Sequence, residues 1–371
     1  MHIALVHYAY PPVIGGVERI LEEHARLLTS RGHHVTVLCQ RGGDEGPSLT
    51  RLPLEDSAEV QASALRAGLA GVDVVFVHNV MTMPFHAGLA LGLETVAAER
   101  PATRFVAWIH DVAAANPDLS PAPTWAGRAH PRFEYVAVSE LRRRQWREVS
   151  GRESTVIPNG VDPARVLGLP ESVAAFAESH ALLDGRILLL HPTRLLRRKN
   201  VELSLGVVAE LNRSRHPATL LITGAADPHN SASAGYAARL ATQRPLLGAD
   251  AHFLAEHFPI GDAELAGLYR LADALLFPSR QEGFGLPVLE AALHRLPVFC
   301  SDIEPIASLP GAAEYRYSPD TEAAPVATTI AAALAGDPRR ESRRQVLTTY
   351  AWPAIYRHHL EPFLFQHPSP R

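Results

Sequence analysis

Three features of the sequence predict an α/β protein built from two doubly wound domains with mostly parallel sheets. The chain has 371 residues, enough for about two cores of ordinary domain size. Short apolar runs of strand character alternate with amphipathic runs of helix character in both halves, the pattern of right-handed βαβ units. Polar, glycine-bearing loops join strand to helix at several of these steps, and ligands of such folds bind outside the carboxyl ends of the strands.

In the first half, residues 3–7, 34–38, 73–77, 105–110, 135–138 and 154–157 read as strands, with helices over 17–30 and 85–99. The first strand-to-helix loop, YAYPPVIGGVERI, brings Gly15 and Gly16 to a helix start, where bare backbone can approach a phosphate. The strand at 105–109 ends in His110-Asp111, a place suited to chemistry, although a lone histidine there is more often a packed or capping group. A long proline-rich loop follows, over 112–130, of the kind that covers a substrate. Ser139 then caps SELRRRQWREV. Its Arg142, Arg143, Arg144 and Arg147 beside Trp146 fit a solvated helix face, or a weak contact with a membrane surface. The irregular stretch after VIPNGVD sets the boundary: a first domain over 1–165, a linker over 166–185 and a second domain over 186–350.

The second half opens with a strand at 187–191 and a loop holding Arg194 and Lys199 before a helix capped by Asn200. Two cations five residues apart at a strand's end can grip both phosphates of a diphosphate, whose charge grows as its bond to a sugar breaks. A solvated basic loop shared with Arg197 and Arg198 is the alternative. Lys199 is the only lysine among 35 basic residues, so a compact ammonium matters at this position or has survived there by chance. After a strand at 220–223 and Gly224, a strand at 274–277 enters PSRQEGFGLPVLEAA. There Glu282 falls in a loop, Gly283 and Gly285 leave the backbone bare, Pro287 starts a helix, and Glu290 sits about one turn into it. Carboxylates accept from hydroxyls, and amides at a helix start receive anionic oxygens, so the stretch suits a polyhydroxylated ligand carrying phosphate. An ordinary connection with solvated glutamates is the plainer account.

Composition narrows the function classes. A formal net charge of −4 gives no bulk attraction to nucleic acid. No apolar run reaches eighteen residues and the amino terminus enters a strand without a basic leader, so a cytoplasmic protein is expected. Cys39 and Cys300 follow apolar runs and make neither a disulfide framework nor a zinc site. The 19 histidines are scattered without metal spacing and are expected mostly on the surface or in loops. A GxGxxG fingerprint, a Walker A loop and an Asp-x-Asp pair are all missing from the sequence, which disfavours a dehydrogenase, a P-loop NTPase and a magnesium-bound sugar transferase.

The string EGFGLPVLE resembles the Glu-x7-Glu signature of retaining glycosyltransferases with the GT-B fold, the large family-four group. The resemblance extends through the Gly15-Gly16 loop, His110, the PNGVD segment, and Arg194 followed five residues later by Lys199. It implies two Rossmann-like domains facing a central cleft, and a closing helix over 351–371 that returns to the first domain. It implies retaining, metal-independent transfer of a sugar from a UDP- or GDP-sugar to an acceptor hydroxyl, with no cofactor. His110, Glu282, Arg194 and Lys199 would then be catalytic. Gly15, Gly16, Gly283, Phe284, Gly285, Leu286 and Glu290 would bind substrate, and the turn at 256–259 would hold the base. The loop at 225–236 departs from the short glycine turn of the family. A sugar-nucleotide epimerase of the same fold and a non-catalytic sugar-nucleotide-binding protein are the alternatives. The base, the sugar and the acceptor are left open.

Overall fold

The computed structural model describes residues 1–43, 49–119, 122–225, 231–312 and 314–366. The chain divides into two compact units, Met1–Val161 with Trp352–Arg371, and Asp162–Ala351.

The first unit holds seven strands: β1 (His2–Val6), β2 (His34–Cys39), β3 (Leu49–Arg51), β4 (Val74–His78), β5 (Arg104–Ile109), β6 (Phe133–Ala137) and β7 (Thr155–Val156). They lie in the order β3-β2-β1-β4-β5-β6-β7, and every pairing is parallel. All of β4 is buried, as are Ile3 to Val6 of β1. Helices cover both faces of such a sheet, which is why these strands are continuous Val, Ile and Leu runs rather than alternating ones. The helices are α1 (Gly16–Ser30), α2 (Ala58–Gly68), α3 (Ala87–Glu99) and α4 (Glu140–Ser150). The expected return of the chain is present. Trp352, Leu360 and Leu364 complete a cluster with Ile3, Phe76 and Trp108. Arg104 anchors this segment by donating to the Leu364 carbonyl at 3.1 Å while pairing with Glu134 at 2.9 Å.

In the second unit six strands are ordered β10-β9-β8-β11-β12-β13 and pair in parallel throughout. They are β8 (Ile187–His191), β9 (Ala218–Ile222), β10 (Ala251–Phe253), β11 (Ala274–Phe277), β12 (Val298–Ser301) and β13 (Tyr315–Tyr317). Its helices are α5 (Pro163–Val166), α6 (Glu171–Ser179), α7 (Val201–Arg213), α8 (Ser231–Leu247), α9 (Asp262–Leu271), α10 (Leu286–Leu293), α11 (Ala323–Ala335) and α12 (Pro338–Gln345). The stretch 166–185 is therefore not a linker: Val173, Phe176 and Leu182 bury themselves against β8 and β11 residues of this unit's core. Spaced prolines and glycines there punctuate short helices, a pattern that composition alone reads as a connector.

In each sheet the strand order reverses beside its first strand, between β1 and β4 and between β8 and β11. A crevice opens at such a reversal because the flanking loops run to opposite faces. Among the described residues no helix is long and apolar enough to cross a membrane.

Candidate active site at the sheet switch points

At the second unit's switch point, the loops leaving β8 and β11 carry the expected cations and the first carboxylate. Lys199 ends a single 3-10 turn, Arg197–Lys199, and its Nζ donates to Glu282 Oε1. The same oxygen accepts from Ser279 Oγ at 2.5 Å. Two bonds to backbone carbonyls lock the loops together: Arg280 N donates to Arg198 O at 2.7 Å, and the Arg198 side chain donates through Nη1 to Gln281 O at 3.1 Å. The paired side chains are 13% and 8% exposed. Burial holds the Lys199 ammonium below its ordinary range, against the opposing pull of Glu282. Arg194 stands exposed in the same loop. A Cβ at Gly224 would lie 1.9 Å from the Thr193 carbonyl oxygen and 2.6 Å from Arg194 Cα, so only glycine lets the chain after β9 brace the cation loop.

The glycine loop leads directly into α10. Gly285 has φ of 108°, a left-handed conformation that glycine adopts without penalty, and no side chain caps the helix that begins at Leu286. Apart from its two chain neighbours, none of the described residues comes within 4 Å of where a Cβ at Gly283 would stand, and Phe284 and Leu286 are exposed on either side of Gly285. Glu290 lies in the second turn, where its Oε2 accepts from the Tyr269 hydroxyl at 2.6 Å. Tyr269 comes from α9, is 2% exposed, and stacks on His294 at 5.2 Å. Burial, and then the bond to Glu290, push its phenol far above the usual range.

The first unit contributes the remaining expected residues. Gly15 precedes α1, and a Cβ there would meet Glu18 Oε2 at 1.9 Å, because Glu18 folds back towards His7 Nε2, 3.7 Å away. Gly16 faces open space. His110 follows β5, beside this sheet's switch point. Asn79, left-handed at φ 54°, takes the amides of His110 and Asp111 on its Oδ1 at 3.2 and 2.8 Å. Arg142 holds the same turn from α4, donating to His110 O at 2.9 Å and to Asp111 Oδ1 at 2.8 Å. The His110 ring shares a 3.2 Å hydrogen bond between its Nε2 and His78 Nδ1. His7 and His24 lie behind it, the latter edge-on to Phe76, His78, Trp108 and Trp352. Burial lowers His7 to about 4 and His24 and His110 to about 3, so all three are neutral near pH 7. A cavity of ≈ 170 Å³ opens beside this turn, lined by Met83, Asp111, Asn116 and Arg142 among others.

Several expectations need correction. Trp146 is fully buried and stacks on Tyr135 at 4.7 Å, so it cannot join Arg142, Arg143, Arg144 and Arg147 in a membrane-facing surface. Arg143 and Arg147 instead pair with Glu140 and Glu153 at 2.8 to 3.4 Å. Asn200 does not cap α7; it is left-handed at φ 54°, and the Tyr236 hydroxyl takes the Val201 amide at 3.3 Å. Most described histidines are partly or fully exposed, as expected, but His7, His24, His33, His78, His110 and His191 are buried. Ser139 does cap α4, accepting from Arg142 N at 3.2 Å, and both cysteines are buried. Residues 226–230 of the atypical loop lie outside the described residues. Tyr269, His78 and Asn79 are the site residues that sequence reasoning missed. Each meets its partner across 21 to 32 residues of sequence, so no local spacing signals it.

Comparison with known proteins places this geometry in a family. Residues 173–347 match the model for glycosyl transferases group 1, and residues 14–165 match the model for glycosyltransferase family 4. The mannosylglucosylglycerate synthase of Thermotoga maritima is 24% identical over 377 residues, covering 82% of this chain and 83% of that one. The phosphatidyl-myo-inositol mannosyltransferase of Mycobacterium tuberculosis is 27% identical over 361 residues, covering 89% and 86%. A crystal structure of Anabaena Alr3699/HepE in complex with UDP-glucose aligns over 98% of this chain and 99% of that one, with 18% identity and a TM-score of 0.40. Between them the two family matches leave out only residues 1–13, 166–172 and 348–371, and the chain belongs to the group 1 glycosyltransferases.

Proposed function

We propose that this glycosyltransferase moves a sugar from a UDP- or GDP-linked donor to an acceptor hydroxyl, with retention of anomeric configuration and without a metal. The observation that carries this reading is the Lys199–Glu282 pair at the second unit's switch point, with Arg194 in the same loop. An ammonium and a guanidinium there offset the charge that builds on the departing diphosphate, the task a divalent cation performs in metal-dependent transferases. Glu282 and the backbone from Gly283 to Leu286 receive the donor sugar, while Glu290, aimed by Tyr269, accepts from the ribose hydroxyls. In the transfer the acceptor oxygen bonds to the anomeric carbon as the bond to phosphate breaks. The acceptor's proton passes to the leaving phosphate oxygen, which keeps acceptor and leaving group on one face. Neutral His110 supplies a hydrogen-bonding imidazole at the carboxyl end of β5 in the first unit, whose sheet also releases the Gly15-Gly16 loop from β1. Two of the relatives carry mannosyl chemistry in their names, so mannose-bearing donors come first in a screen.

The test is a panel of nucleotide sugars with and without candidate acceptors, run with and without a chelator, with the product anomer read by NMR. Acceptor-dependent nucleotide release, insensitive to chelator and giving the donor's anomer, is expected. Lys199→Ala should lower kcat/KM by about 10²- to 10³-fold, roughly 2.7–4 kcal/mol of transition-state stabilisation. Unchanged donor turnover in that variant, or activity that a chelator abolishes and magnesium restores, would overturn the reading.

A further inference from the structure

On the second unit three histidines from separate chain segments converge, one of them, His257, in the turn at 256–259. His180 ends α6, His252 is the middle residue of β10, and His257 follows the short turn Leu254–Glu256. One ring nitrogen from each lies within 4.8 Å of the other two. The rings surround Phe176, whose centroid is 4.1 Å from His180, 5.2 Å from His252 and 4.8 Å from His257. Phe176 thus walls off one side, while His257 is exposed on the other.

We propose that His180, His252 and His257 form a binding site for a divalent transition metal of the zinc class. Three imidazoles are a donor set suited to zinc, and a water completes the coordination. Zinc–nitrogen bonds of about 2.0–2.1 Å in a tetrahedron place ligand nitrogens about 3.3 Å apart, so the rings close by about 1.5 Å at most from their present spacing. His180 already has the outer partners that orient a metal-bound imidazole, and His252 has a carboxylate nearby. His180 Nδ1 is engaged by the Phe176 carbonyl and Ser179 Oγ, each at 3.0 Å, which leaves Nε2 for the ion. His252 Nε2 lies 3.6 Å from Asp250 Oδ1, a carboxylate that Arg186 holds in turn at 3.0 Å.

The consequence is local and structural. β10 is an edge strand of its sheet, and the ion would staple it to α6 and to the turn leading into α9. Chance proximity of surface imidazoles would not supply a buried apolar wall, a strand-borne central ligand and a ring already oriented by its own backbone together.

The experiment uses the full chain, stripped with chelator and dialysed against ZnCl2 or CoCl2 alone. The expected result is one retained equivalent of zinc. Cobalt should give visible bands of low-symmetry, four- or five-coordinate intensity, and the Tm should rise by roughly 5–10 °C at a hundredfold excess over Kd. His257→Ala, at an exposed position, should lose the equivalent and the bands while keeping the metal-free Tm, and His252→Ala should lose them too. His216→Ala, an exposed histidine elsewhere, should keep both. Failure of the wild-type chain to retain zinc, or retention of the full equivalent by His257→Ala, overturns the proposal.

Discussion

Glu290 Oε2 takes its 2.6 Å bond from a hydroxyl on another helix, and that hydroxyl belongs to a tyrosine with almost no exposure. A hydrogen bond to a charged acceptor contributes about 1.5–3 kcal/mol, and its loss frees the carboxylate to rotate. Tyr269→Phe should therefore raise the donor KM about ten-fold or more with a smaller effect on kcat, measured by steady-state kinetics. An unchanged KM would detach Glu290 from donor binding. His24 sets a second expectation at this scale. A free histidine titrates near 6.5, whereas burial lowers His24 to about 3, His110 to about 3 and His7 to about 4. Between those values the unfolded chain binds more protons, so stability rises with pH there. It is fully present above about 6.5 and is lost as pH falls towards 3–4, at up to about 1.4 kcal/mol per pH unit for each ring. Thermal melts from pH 4 to 8 should show this slope in the wild type and a shallower one in His24→Phe. A wild-type Tm that is flat between pH 4.5 and 6.5 would contradict it.

At the level of elements, the strands hold the site because their carboxyl ends release loops that other loops brace. The chain after β9 touches the Thr193–Arg194 backbone at a point where a single added carbon would stand 1.9 Å from an oxygen. Gly224→Ala must therefore displace one loop or the other. It should cost about 1–3 kcal/mol by overpacking, lowering the second unit's thermal midpoint together with donor affinity; an affinity untouched by a destabilised fold would mean that the two loops move independently. α10 can be read from its own string: glycine, proline and two glutamates announce a bare loop and an uncapped helix start. α4 could not be read that way. Its arginines and tryptophan look like one amphipathic surface, but Trp146 faces Tyr135, and α4 sends Arg142 back to the His110 turn.

For the molecule as a whole, the last helical segment is a component of the first core. Trp352 is buried, its amide donates to Val161 O at 3.1 Å, and a Cβ at Gly160 would lie 2.6 Å from its indole. Trp352→Ala should cost about 3–5 kcal/mol, and a chain ending at Ala351 should lose the cooperative transition of the first unit, by calorimetry, while keeping that of the second. One undisturbed transition for the first unit would refute the assignment of this segment. Most of the fold was legible in the sequence because both sheets are buried on two faces, so strands such as β4, β8 and β11 stand out as apolar runs between polar loops. The cation loop and the glutamate loop were legible because each is local and chemically unusual. The Tyr269–Glu290 bond, the His78–His110 contact and the convergence of His180, His252 and His257 were not, since the sheet brings them together from distant positions. The helices at 163–179 were misread because spaced proline and glycine signal a connector whether or not the intervening apolar residues find a core.

The chain leaves the first unit at Val161 and re-enters it at Trp352, with the second unit contained wholly between those points. On the ribosome, then, the two halves cannot mature in the order in which they are made. The later-encoded half can complete itself as soon as its own strands emerge, while the earlier one waits with β1, β4 and β5 assembled and α1 packed on them, but with Phe76 and Trp108 lacking the cover of Trp352 and Leu360. Nascent-chain stalling at successive lengths should show protease resistance appearing first in the interior of the sequence and only afterwards near its start.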